Sequence, residues 1–150
     1  MGDQVETHRD ADALHRILVL AHEGLGGAQL VEQLDRRQAD RGCEVFVVVP
    51  ALSGSLKQLA NDDRDEIAAA QADLERLVSE LGGHGRTVSG LVGDSDPRLA
   101  LEDSLRQFAA DEIIVVNPAE SEMGHLEEAG TARAVEDVSL PVSVLTVPGA

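Results

Sequence analysis

The sequence has no tryptophan, no tyrosine and two phenylalanines. That shortage removes the stacked aromatic platform on which single-stranded nucleic acid lies. Cationic residues are scarce too: 12 Lys and Arg, Lys57 being the one lysine, stand against 28 Asp and Glu, for a formal net charge of −16. No concentrated basic face is available to release counterions from DNA or RNA, so nucleic acid is excluded as a partner. The single cysteine, Cys43, allows no internal disulfide and suits a reducing compartment. No apolar run approaches the roughly 20 residues needed to cross a bilayer. The amino end is polar and lacks the apolar stretch of a signal peptide. The expectation is a cytoplasmic chain that engages no membrane, with a mobile tail over residues 1–13 and one domain over 14–150.

What is present is an alternation. Short apolar runs over residues 16–22, 44–49, 86–92, 112–117 and 142–147 read as strands. Between them lie segments of helical period: 28–39, burying Leu30, Val31 and Leu34; 63–81, with Ile67, Ala70, Leu74, Leu77, Val78 and Leu81 on one face; and about 97–108, with Leu99, Leu101, Leu105 and Phe108. The last is 123–137, with Leu126, Ala129 and Val135 inward, followed by Val138. Gly24, Gly26 and Gly27 end the first strand, Pro50 the second, and Gly82-Gly83 the long helix. Strands alternating with helices imply an α/β fold, a doubly wound parallel sheet with right-handed crossovers and helices on both faces.

Strand composition points to the order. Strands one, two and four are nearly continuous apolar runs, as befits strands covered on both faces. Strand three carries Arg86, Thr87 and Ser89, and strand five Ser143 and Thr146, which suit edges. The order 3-2-1-4-5 satisfies both, with the reversal between strands one and four. Open parallel sheets bind ligands at the carboxyl ends of the strands beside such a reversal. The predicted crevice is lined by Ala21, His22 and Glu23, by Val49, by Gly93 and Asp94, and by Asn117 and Pro118. Asp96-Pro97, in the loop Gly93-Asp94-Ser95-Asp96-Pro97, reads as a helix cap followed by proline at the first helical position.

The strand pattern, that Gly-Asp-x-x-Pro loop, the run Asp111-Glu112-Ile113-Ile114-Val115-Val116 and the closing Leu140-Pro141-Val142-Ser143-Val144-Leu145 resemble the universal stress protein family, over roughly residues 16–147. The resemblance implies ATP binding through a glycine, a second glycine after two residues, and a Gly-Ser/Thr pair after nine more. Laid from the end of strand four, that spacing falls on Asn117, Glu120, Gly130 and Thr131. Gly130-Thr131 fits; Asn117 and Glu120 place side chains, one of them charged, where the family's glycines admit phosphates. The family's aspartate after strand one has no match in Ala21-His22-Glu23. Acidic residues near the crevice (Glu23, Asp94, Asp96, Glu120, Glu122) further oppose a triphosphate, although Mg²⁺ could bridge part of the charge.

Catalytic patterns are weak. His22-Glu23, and His125 with Glu127 or Glu128, lack metal-ligand spacing, and Ser53-Gly54-Ser55 is no nucleophile elbow. Cys43 reads as a buried small apolar residue, and Gly26-Gly27 as a strand-to-helix turn. The expected function is therefore a non-catalytic universal-stress-protein-like module with a decayed or repurposed nucleotide site and no resident cofactor. It would act through a protein partner or a homodimer built on the edge residues Val142, Val144 and Val147. The alternative is a working ATP/AMP sensor.

Overall fold

Five apolar runs pair into one parallel sheet in the computed structural model, in the order β3-β2-β1-β4-β5 expected from strand composition. The strands are β1 (His15–Ala21), β2 (Cys43–Pro50), β3 (Thr87–Gly93), β4 (Glu112–Ala119) and β5 (Val142–Pro148). The helices are α1 (Gly27–Gln38), α2 (Asp63–Gly82) and α3 (Pro97–Gln107). The structure describes residues 14–21, 26–39, 42–51, 63–83, 85–94, 96–119 and 138–148. The predicted tail over 1–13, the Ser53–Ser55 loop and the predicted helix over 123–137 lie outside them.

The central strands are the apolar ones. Ile17, Leu18, Val19 and Ala21 of β1 have no exposure, and Ile113–Val116 of β4 have at most 1%. Alternate residues feed two cores, as the two-residue period of a strand requires. Ile17, Val19, Ala21, Val45, Val47, Ile114 and Val116 pack with Leu30 and Leu34 of α1 and with Leu74, Leu77 and Leu81 of α2. Leu18, Leu20, Val48, Ile113 and Val115 pack with Ala100, Leu101 and Phe108 on the α3 side. Steps from β1 to β2 to β3 therefore run over one face, and the return through α3 to β4 crosses the other, so the crossovers share one hand.

Two residues expected in helix cores are outside them. Leu99 is 44% exposed, because it stands about 200° around the helix from Leu101; the buried stripe runs through Ala100, Leu101, Ser104 and Phe108. Ile67 is 51% exposed although it shares the stripe of Leu74. The 20 residues of α2 span about 30 Å and the seven of a strand about 23 Å, so the first turns of the helix overhang the sheet.

Pro50 does not stop β2 short; it is the last strand residue, aligned with Gly93 of β3. Arg86, taken as an edge-strand polar residue, precedes β3 and has a fully buried side chain. Its Nε donates to the Leu81 carbonyl at 2.9 Å, and its Nη1 donates to Asp35 Oδ1 and Gln38 Oε1, each at 2.9 Å. A single guanidinium thus ties the ends of α1 and α2 to the start of β3, where a cation complements the negative helix ends. The edge position of β3 was inferred correctly, but Arg86 was no evidence for it.

Candidate functional site

The carboxyl ends of β1 and β4 meet where the strand order reverses, Ala21 lying opposite Val116. Ala21, Val49 and Val116 are fully buried there, and Asn117 is 3% exposed. Pro118 belongs to β4 and aligns with Val147. His22, Glu23, Glu120, Gly130 and Thr131, all proposed to line the crevice, lie outside the described residues, as do His125, Glu127 and Glu128. Among the described residues no three His, Cys, Asp or Glu side chains gather as metal ligands would.

Gly93 and Asp94 sit farther off than the sequence implied. β3 and β4 are three strand spacings apart, about 14 Å at ~4.8 Å each, so only an elongated ligand reaches both Gly93 and Asn117. The loop is satisfied by its own chain. Asp94 Oδ1 accepts the Asp96 N–H at 2.9 Å, and Asp96 Oδ1 accepts the Arg98 N–H at 2.9 Å to cap α3 ahead of Pro97. Ala51 N–H donates to the Gly93 carbonyl at 3.0 Å, pinning the loop to the end of β2. A Cβ on Gly93 would stand 2.8 Å from Ala100 Cβ and 2.9 Å from Val48 Cγ1, so close packing against α3 accounts for the glycine without a ligand.

The turn into α1 covers the far side of the crevice. Gly26 has φ +85°, a left-handed conformation suited to glycine, and its carbonyl accepts the Leu30 N–H at 2.7 Å. A Cβ on it would lie 2.9 Å from Val116 Cγ1 and 3.4 Å from Val147 Cγ1, so the turn sits directly on the ends of β4 and β5. The Glu80 carboxylate from α2 lies against Gly27, facing the amino end of α1 with a negative charge that the helix dipole favours. That long-range contact left no trace in the local sequence pattern.

The ionic residues that sequence reasoning missed gather at the opposite end of the sheet. His15 Nε2 is 2.5 Å from Glu112 Oε1, while Arg37 from α1 donates Nε to Oε1 at 2.9 Å and Nη2 to Oε2 at 3.1 Å. Burial of Glu112 by itself raises its pKa; hydrogen bonds from Arg37 and His15, with their charges, outweigh that and hold it below the ordinary glutamate value. Arg16 bonds Glu44 at 3.1 Å and lies 5.3 Å from the centre of the Phe108 ring, itself stacked on Phe46 at 5.1 Å. Those two rings are the chain's whole aromatic complement, spent on packing.

Two surfaces remain. β5 is the outermost strand, and Val144 on it is 57% exposed. Val147 corrects the proposed edge set: it faces away from Val142 and Val144 and is 2% exposed within the α1 core, because an odd offset along a strand reverses the face. A groove of about 520 Å³ follows α3, lined by residues including Leu101, Leu105, Ala110, Val138 and Leu140. It shares no residue with the crevice.

The overall arrangement is similar to solved structures. One is a universal stress protein from Archaeoglobus fulgidus in complex with dAMP, 16% identical, with 89% of this chain and 98% of that one covered at a TM-score of 0.59. A second structure of universal stress protein from the same organism is 20% identical, covering 87% and 98%, at 0.57. A hypothetical protein is 15% identical, covering 92% and 100%, at 0.57. No protein-family model and no curated protein matches the chain. The fold is that of the universal stress proteins.

Proposed function

We propose that this chain is a non-catalytic universal-stress-protein-like module of the cytoplasm. It acts in stress response as a homodimer or with a protein partner, and its crevice is decayed or repurposed relative to nucleotide-binding proteins of the same fold. The exposed outer edge of β5, with Val144 at 57% exposure, carries the dimer reading. An unpaired edge strand is a template for a second chain, and a twofold pairing of identical edges closes on itself without leaving a new edge. The self-satisfied Gly93–Pro97 loop supports the crevice reading, since its carboxylates already serve the backbone.

Light scattering on the purified chain is expected to give a dimer at about 100 µM, a concentration typical of weak-to-moderate association. Val144→Lys should give a monomer with unchanged far-ultraviolet circular dichroism. A wild-type monomer at that concentration sinks the dimer reading. The dAMP complex of the Archaeoglobus fulgidus protein favours a second reading, an ATP/AMP sensor. Calorimetry separates the two readings: tight ATP binding by the unmodified chain favours the sensor. Binding gained only in Asn117→Gly/Glu120→Gly favours a degenerate site.

A further inference from the structure

The sheet has two edges, and the pairing proposed above uses one of them. The other is β3, the end strand of the order, hydrogen-bonded to β2 on one side. Its sequence, Thr-Val-Ser-Gly-Leu-Val-Gly, holds neither a charge nor a proline, the residues with which edge strands ordinarily repel a further chain. The Gly93 carbonyl accepts the Ala51 N–H just past the end of β2, so it points toward β2. Direction alternates along a strand. Leu91 and Ser89 therefore share that side, and Val88, Gly90 and Val92 turn their N–H and C=O groups to the open side.

Side chains on both faces mark the same stretch. Val88 and Val92 are only partly covered by the α2 core, and Leu91 only partly by the α3 core. Leu74 of α2 sits over Gly90, where a Cβ would stand 2.7 Å from Leu74 Cδ1. Ile67 lies two turns earlier on that stripe, about 10 Å nearer the carboxyl end of β3, and is 51% exposed. On the opposite face Ala100 meets Gly93, and its neighbour Leu99 is 44% exposed. An exposed apolar residue thus stands on each face of the sheet at the carboxyl end of this edge.

Charge selects the occupant. β3 runs into Asp94 and Asp96, both exposed, each with one carboxylate oxygen on a backbone N–H. The chain as a whole carries −16, whereas the stretch from Val142 to Ala150 that includes β5 has no charged side chain. A second copy suits β5; a cationic chain suits β3. We infer that the β3 edge is a docking site for an extended, basic segment of a partner protein. The segment adds as a further strand on Val88, Gly90 and Val92, with a Lys or Arg set against Asp94 and Asp96. Main-chain bonds give such additions their affinity and alternate side chains their specificity. This site gives the protein partner of the proposed function a surface and a charge. Lying on the opposite edge, it is independent of the β5 dimer.

The probe is a fluorescently labelled peptide of alternating threonine and valine with arginine at both ends, beside an analogue ending in glutamate. Anisotropy with the full chain should show saturable binding of the basic peptide with a Kd of about 10–100 µM, and at least about tenfold weaker binding of the analogue. The basic peptide should slow amide exchange at Val88, Gly90 and Val92 and leave β5 unchanged. Ser89→Lys, at an exposed position, and Val92→Pro, which removes one outward N–H, should each abolish binding. If Val92→Pro fails to fold, Ser89→Lys and the exchange pattern still decide. No saturation by about 1 mM peptide, equal binding of the analogue, protection confined to β5, or unchanged binding in Ser89→Lys each overturns the inference. So does a peptide-free dimer that survives Val144→Lys and is broken by Ser89→Lys, since a second copy then occupies β3. Val144→Lys should leave peptide binding intact, and a wild-type monomer that binds the peptide sinks only the β5 pairing.

Discussion

Glu112 is the residue on which the amino end of the sheet depends. Its side chain is 11% exposed and joins β4 to α1 through Arg37 and to β1 through His15. Its folded pKa is lowered, so its contribution is complete above the unfolded glutamate value of about 4.3 and is lost as pH falls through the folded value. Glu112→Gln should therefore cost about 1–3 kcal/mol at neutral pH, the range for breaking a partly buried charged hydrogen bond. The difference from wild type should shrink toward zero as urea denaturation is repeated from pH 7 down to about 3. A difference that stays constant over that range would mean packing, rather than charge, is what the substitution removes.

The element that the sequence foreshadows best is α3 with its loop. Asp96 caps it and Pro97 opens it, and both were readable because caps and prolines act within a few residues of themselves. Asp96→Ala should cost about 1 kcal/mol, or about 2–4 °C of Tm at this chain length, while Asp96→Asn should retain most of the stability. Thermal denaturation monitored by circular dichroism checks this; an unchanged Asp96→Ala would show that the Gly93 tie to Ala51 holds the loop alone. Which face of α3 is buried was less legible. Four apolar residues at 99, 101, 105 and 108 admit more than one stripe, and the sheet selects Ala100, Leu101, Ser104 and Phe108.

At the scale of the molecule, charge opposes the association that the β5 edge invites. Each copy carries a formal −16, so two copies repel over a range set by the ions around them. The screening length falls from about 30 Å at 0.01 M salt to about 10 Å at 0.1 M. A dimer held by apolar edge pairing should therefore tighten as salt rises from about 0.01 to 0.5 M, a trend sedimentation equilibrium can follow. Weakening with salt would instead point to an interface made of ion pairs. Among the described residues, Arg16, Arg37, Arg86 and Arg98 are each bonded to an acid.

By itself the sequence determined the strands, their order and the cap of α3. Each follows from short-range information: continuous apolar runs mean burial on both faces, mixed runs mean an edge, and Asp-Pro sets a helix start. Only the tertiary structure decided which polar groups meet. His15, Arg37 and Glu112 are 97 and 75 residues apart in their two contacts, and Arg86 reaches Asp35 across 51. Such pairs depend on strand register and helix placement, which no local period encodes. The same reason separates Gly93 from Asn117 by three strand spacings, and turns Val147 inward while Val144 faces out.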